Sequence, residues 1–215
     1  MKYATKKKVY SKPGTKKIIS LISAAVVMRK LVKVIRCFLN DRGDLMKIGE
    51  KVNEMECEAY RDGEFVKISI PQKGKWTVLF FYPLDFTFIC PTEIKEFAKQ
   101  QKEFEKLNAV VIGASTDSVH SHKAWFSSGF DINFSVIGDT THQLSKAFGV
   151  LKDDQGIAYR GTFIIDEDGT LRYMAVSDLG VGRSVAETLR VLQALQTGEL
   201  CQVEWKPGEK TLGRG

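Results

Sequence analysis

The apolar stretch Trp76-Thr-Val-Leu-Phe-Phe-Tyr82 constrains the fold of this chain most. A strand with one wet face alternates apolar and polar residues, whereas a strand this apolar has to be covered on both faces. Ala109-Val-Val-Ile-Gly-Ala114 carries the same signature. Between them, Ile94, Phe97, Ala98, Phe104 and Leu107 keep helical spacing and predict a helix over 92–107. Residues 52–70 predict two strands around a turn at Arg61-Asp-Gly63. Further helices are expected at 119–128, 142–148 and 184–196, the last opened by a Ser184/Glu187 capping box. A strand is expected at 134–137. Asp166-Glu-Asp-Gly169 joins strands at 162–165 and 171–176 as a hairpin, which forces one antiparallel pair. Alternating strands and helices with such a pair give an α/β sandwich around a mixed sheet.

The chemistry concentrates where the first buried strand ends. Tyr82-Pro-Leu-Asp-Phe-Thr-Phe-Ile-Cys-Pro-Thr-Glu93 brings a cysteine, Cys90, to the start of a helix. Only a thiolate is nucleophilic, and unpaired N–H groups at a helix N-terminus favour that form. Pro91 fits the first turn because its missing N–H is not needed there. Thr87 lies one turn back with a hydroxyl, and Pro83 stiffens the approach and can shield the sulfur from water. Thiolate, hydroxyl and backbone donors together suit attack on a peroxide O–O bond, where the leaving oxygen gains charge. The alternative at this point is a buried cysteine in an aromatic-rich core.

Composition narrows the classes. The chain has 215 residues, enough for one domain and a tail. Residues 1–45 hold 12 Lys/Arg against 2 Asp/Glu, a net of +10, and residues 46–215 hold 20 against 24, a net of −4. The globular part therefore offers no electrostatic case for nucleic acid, and no apolar run is long enough to span a membrane. The four cysteines, Cys37, Cys57, Cys90 and Cys201, form no Cys-x-x-Cys pair, which argues against a zinc ribbon or a thioredoxin-type dithiol. Cys37 and Cys57 match no catalytic pattern, and His120 with His122 lacks further ligands at metal spacing.

The basic leader 1–45 admits three readings. Its apolar core Ile18–Met28 between lysine-rich flanks is signal-like, but no small-residue cleavage site follows; it also suits a surface-seeking amphipathic segment. The reading we favour starts the native chain at Met46, where the first acidic stretch opens and where Arg42-Gly-Asp-Leu45 is what a purine-rich ribosome-binding site gives in frame. The expected organisation is then leader 1–45, domain 46–196 and tail 197–215.

Pro83, Thr87 and Cys90 reproduce the pattern Pro, three residues, Thr or Ser, two residues, Cys, and over residues 46–215 the chain resembles the typical two-cysteine peroxiredoxins, the branch of the alkyl hydroperoxide reductase C subunit and the thioredoxin peroxidases. The resemblance implies a thioredoxin-like fold with a mixed central sheet flanked by helices. It implies a thiol-dependent peroxidase acting on hydrogen peroxide and alkyl hydroperoxides, with no metal, haem or flavin. Arg160 falls where the family carries its active-site arginine, which would stabilise a thiolate and the charge developing on oxygen. Glu93 and Arg183 correspond to a polar pair supporting the active-site helix. The segment His122-Lys-Ala-Trp125 makes Trp125 an interface residue.

Cys201, in Gly198-Glu-Leu-Cys201-Gln-Val-Glu-Trp205, resembles the resolving cysteine, which in this family attacks the sulfenic acid of the other subunit after the active-site helix unwinds locally. The implied partners are a peroxide, a second copy in a homodimer that builds a decamer, and a dithiol reductant protein, thioredoxin-like or a flavoprotein, in the cytoplasm. Gln202 stands where the family has Pro, and the link Thr197–Leu200 is short. The chain lacks the Gly-Gly-Leu-Gly and Tyr-Phe segments that favour over-oxidation, so resolution ahead of sulfinic acid is expected. Competing readings are a one-cysteine peroxiredoxin with Cys201 idle and a ring-forming holdase chaperone.

Overall fold

The computed structural model describes residues 46–129 and 132–215; the leader and the proposed start at Met46 turn on residues outside that range. Among the described residues the elements are, in order, β1 (Met55–Arg61), β2 (Glu64–Ile70), β3 (Trp76–Phe81), α1 (Cys90–Lys106), β4 (Ala109–Ser115), α2 (Val119–Ser127), β5 (Ser135–Gly138), α3 (Gln143–Ala147), β6 (Leu151–Lys152), β7 (Ile157–Ala158), β8 (Arg160–Ile165), β9 (Leu171–Ser177) and α4 (Val185–Thr197). Seven strands make one sheet in the order β2-β1-β5-β4-β3-β8-β9. β3, β4 and β5 run parallel; β8 returns antiparallel beside β3, and β9 beside β8. The architecture is the mixed α/β sheet flanked by helices of the thioredoxin-like fold.

β3 is covered on both sides, as its composition demands. Val78 and Phe80 enter one core with Ile94, Phe97 and Phe104 of α1, Trp125 and Phe126 of α2 and Leu192 of α4. Leu79 and Phe81 enter the other with Ile112, Leu144, Phe148, Phe163 and Ile165. Phe80 is the pivot of the first core, stacked on Phe97 at 4.1 Å and edge-on to Phe134 at 5.7 Å. The β1–β2 register brings Arg61 opposite Glu64, leaving a two-residue turn in which Asp62 and Gly63 both take positive φ, the geometry that suits the strand twist.

Two regions differ from the sequence expectation. The pair β6–β7 was not foreseen, because two-residue strands carry no measurable periodicity. The segment after α4 is also more than a polar tail. Gly198 closes the helix at φ 63. The chain then folds back, with Leu200 N–H donating to Gly213 O and Leu212 N–H to Leu200 O at 2.9 and 2.8 Å. Trp205 is buried, and Arg190 of α4 donates to its carbonyl at 3.1 Å. The segment thus belongs to the same compact unit as the sheet. No helix among the described residues is long and apolar enough to cross a membrane.

Phe80→Ala removes a fully buried ring that packs on three other aromatic rings. It should cost about 3–5 kcal/mol, read as a lower denaturant midpoint at unchanged slope.

Candidate active site

β3 ends at Phe81, and Tyr82 N–H still bonds Ala114 O of β4 at 3.0 Å before the chain leaves the sheet. Residues 83–89 cross to α1, whose first residue is Cys90. No side chain caps this helix, and Pro91 brings no N–H of its own. The sulfur therefore lies at the positive end of the helix dipole and is fully buried. Glu93, one turn on, lies on the same side of the helix.

Arg160 reaches this point from the neighbouring strand. Phe80 pairs with Thr162, so continuing the antiparallel register brings Arg160 level with Tyr82. Its Nη1 donates to Cys90 Sγ at 3.4 Å and to Glu93 Oε2 at 2.7 Å, and its Nε donates to Leu179 O at 2.9 Å. Gly161 allows this strand to pack: a Cβ there would lie 2.7 Å from both Phe163 and Val150 side-chain carbons.

Arg183, in the loop before α4, takes the other side of Glu93. Its Nε and backbone N–H both donate to Oε1 at 2.9 Å. It also donates to Gly161 O at 2.7 Å and to Phe81 O, and its guanidinium lies 5.3 Å from the Phe80 ring centre. Burial lowers the pKa of Arg183 from its ordinary value, and the Glu93 carboxylate opposes that shift. The capping box of α4 is half formed. Ser184 Oγ accepts from Glu187 N–H, while the Glu187 carboxylate turns to Arg190.

The remaining expected site residues are placed as follows. Pro83 is buried within the loop. Thr87 donates its hydroxyl hydrogen to Leu84 O at 2.9 Å, so its oxygen lone pairs are what it offers a ligand. Cys201 is half-buried and unbonded to Cys90; its sulfur contacts Thr197 Oγ1 at 3.6 Å and Ala194 O at 3.9 Å. Trp125, the residue expected at an interface, packs inward within this protomer. It is only 3 % exposed, held among Tyr82, Phe86 and Phe126, because α2 turns it into the core. The exposed ring in that place is Phe86, which covers it.

Sequence reasoning missed Asp85, which lies between Pro83 and Thr87 and is buried against Ser121 and His122. Partners 36 and 37 residues away leave no local signal. His122 is accordingly a buried polar residue, and no cluster of three or more metal-ligating side chains occurs among the described residues.

Glu93→Gln leaves two buried guanidiniums facing a neutral amide. Removing one partner of a buried ion pair costs about 3–5 kcal/mol, so urea unfolding should shift by that amount, and Cys90 should react more slowly with peroxide as Arg160 loses its orientation. Cys57 in β1 should behave oppositely to a reactive thiol. Burial first, then Asp139 and Glu56, push its pKa up to about 11. At pH 8 only about one Cys57 in a thousand is thiolate. Alkylation followed by peptide mass mapping should leave Cys57 unlabelled there and label it as the pH rises towards 11.

Residues 48–174 match the AhpC/TSA family. The chain is 51 % identical over 181 residues to the chloroplastic 2-Cys peroxiredoxin BAS1 of Spinacia oleracea, covering 79 % of this chain and 68 % of that protein. It is 50 % identical to peroxiredoxin prdx-2 of Caenorhabditis elegans, covering 78 % and 89 %. Among solved structures, Enterococcus faecalis AhpC superposes with a TM-score of 0.70 at 37 % identity, over 72 % of this chain and 95 % of that one. The reduced 2-Cys peroxiredoxin of Plasmodium vivax gives 0.73 at 34 %, over 76 % and 91 %. A helix-starting cysteine held against a buried arginine, on this sheet and with these relatives, leads to one assignment: the chain belongs to the AhpC/TSA family and, within it, to the typical two-cysteine peroxiredoxins.

Proposed function

We propose a division of labour for the thiol-dependent peroxidase activity that goes with this family. Cys90 is the attacking thiolate. Its sulfur takes the terminal oxygen of hydrogen peroxide or an alkyl hydroperoxide, the O–O bond breaks, and the leaving oxygen is protonated to water or an alcohol. The observation that carries this reading is the 3.4 Å contact between Arg160 Nη1 and the buried Cys90 sulfur, with Glu93 and Leu179 O fixing the guanidinium from behind. A cation so held stabilises charge on sulfur before the reaction and on oxygen during it, without reorganising. Thr87, its hydrogen engaged by Leu84 O, accepts the hydroperoxide O–H and aligns it. Pro83 keeps water off the sulfur. Glu93 and Arg183 hold the arginine and the helix start together.

Cys90 then carries a sulfenic acid, and Cys201 of a second copy condenses with it, releasing water and forming a disulfide. An external dithiol protein, thioredoxin-like or a flavoprotein disulfide reductase, returns both thiols; such reductants operate in the cytoplasm. The homodimer this requires is supported by β9. It is the last strand of the sheet, and Met174 and Val176 on it are exposed, so the same strand of another copy can extend the sheet. Phe86, exposed over Trp125, offers a second contact through which dimers build a decamer. Residues 46–196 supply the peroxidase domain and 197–215 the resolving segment.

After one equivalent of peroxide, non-reducing electrophoresis with mass spectrometry should show a covalent dimer bearing a Cys90–Cys201 bond, lost in Cys90→Ser and in Cys201→Ser. Wild-type protein that remains monomeric with Cys90 as sulfinic acid removes Cys201 from the mechanism. Full peroxidase activity in Cys90→Ser removes the mechanism altogether.

A further inference from the structure

The loop that delivers Cys90 is fastened at a second point, away from the sulfur. Asp85 sits in its middle, and connecting segments ordinarily run over the surface. Yet its side chain is 1 % exposed. Oδ1 accepts from Tyr82 OH at 2.8 Å, and Oδ2 accepts from Ser121 Oγ at 2.8 Å and meets His122 Nδ1 at 2.8 Å. Asp85 N–H donates to Asp117 Oδ2 at 2.9 Å, and Asp117 in turn accepts from Ser115 Oγ at 2.8 Å. The other His122 nitrogen meets Ile137 O at 3.1 Å. One loop residue is thereby joined to the end of β3, the end of β4, α2 and β5. A buried carboxylate is tolerated only when its oxygens are satisfied in this way. Burial raises the pKa of Tyr82 well above its ordinary value, which keeps its hydroxyl a donor. The contacts of this junction include none of Cys90, Arg160, Glu93 or Arg183, the groups assigned to the chemistry.

The rest of the loop is lightly held. Phe88 is 96 % and Phe86 62 % exposed. Phe86, directly after Asp85, has φ 55, in the left-handed region that a bulky side chain disfavours. Strained backbone of this kind persists only where its surroundings over-determine it. The neighbour that is over-determined is Asp85.

We infer that Asp85 is a positioning residue that, through its junction with Tyr82, Ser121 and His122, sets how readily the 82–89 loop and the first turn of α1 release Cys90, and so how the oxidised enzyme divides between disulfide and over-oxidation. This rests on reading Cys90 and Cys201 as the attacking and resolving pair. Two fates compete for the Cys90 sulfenic acid. In one, the Cys201 thiol attacks sulfur, an S–S bond forms and water leaves. In the other, the folded site admits a second hydroperoxide, whose O–O bond breaks to give sulfinic acid and an alcohol or water. Release serves the first and retention the second.

The test compares wild type with Asp85→Asn and with Tyr82→Phe, which deletes one hydrogen bond and keeps the ring packing. Stopped-flow kinetics reads the first oxidation of Cys90. Intact mass after graded hydrogen peroxide reads sulfinic acid against disulfide. A single hydrogen bond is worth about a three- to tenfold change in an equilibrium. Tyr82→Phe should therefore raise the peroxide concentration giving half sulfinic acid by about that factor, with Asp85→Asn shifting it further, while the first oxidation slows much less. A general loss of structure would instead slow both steps together. An unchanged partition in both variants overturns the inference, as does a proportional fall in both steps. Hydrogen exchange of residues 84–92 in the reduced protein provides an arm that does not involve Cys201. Faster exchange there in Tyr82→Phe supports the anchor even if wild type makes no Cys90–Cys201 bond, a result that would fault the resolving role alone. Exchange at the wild-type rate in both variants overturns it.

Discussion

The active site depends on one carboxylate. Glu93 is buried between Arg160 and Arg183, with oxygen–nitrogen distances of 2.7 and 2.9 Å. Two cations and one anion leave a surplus positive charge inside the protein, where an unpaired charge is costly. The count balances when the Cys90 sulfur, 3.4 Å from Arg160, carries the second negative charge. In the proposed mechanism Cys90 thus completes a buried charge cluster. This explains why Arg183, which ties Glu93 to Phe81 O and Gly161 O, belongs to the site as much as Arg160 does.

That cluster can be assembled only because β3 is a central strand. The helix that starts at Cys90 comes from its C-terminal end, the customary location of function in open α/β sheets. Arg160 comes from β8, paired to its other edge, and Phe81 O is its own last carbonyl. The two apolar faces of β3 fix its height and rotation between two cores, which fixes all three groups relative to one another. The apolar composition that buries Trp76–Phe81 on both faces is also what makes the site rigid.

How far this was legible in the sequence follows from the range of each interaction. Cys90, Thr87 and Pro83 lie within one short segment, and their spacing on a helix start is readable directly. Strand and helix extents were readable because β3 and β4 are unbroken apolar runs and α1 and α4 keep helical spacing. Glu93, Arg160 and Arg183 were approached through family resemblance; their convergence is a matter of strand register and a loop 90 residues from Glu93, which no local pattern encodes. Asp85 was passed over for the same reason, since an aspartate in a loop looks like a surface residue until the fold joins it to Ser121 and His122. That α2 turns Trp125 inward beneath Phe86 was not readable either, because the orientation of the helix is set by what packs on it.

Stability is distributed unevenly, in a way that suits the proposed cycle, in which two thiols leave their resting places. The far end of α1 is tied into the core by Phe97 and Phe104, both fully buried, whereas its approach carries Phe86 and Phe88 in solvent. The clasp around Cys201 likewise exposes Leu200, Val203 and Leu212 and is held by backbone bonds, the Arg190–Trp205 contact and one buried indole. Segments with little buried apolar surface open at a small fraction of the global unfolding free energy. Unwinding can then stop at the first turn of α1, because continuing would expose Ile94 and Phe97. The boundary between what moves and what stays is written in the burial pattern of a single helix. Glu93 stands on that boundary, one turn beyond the sulfur it helps to hold.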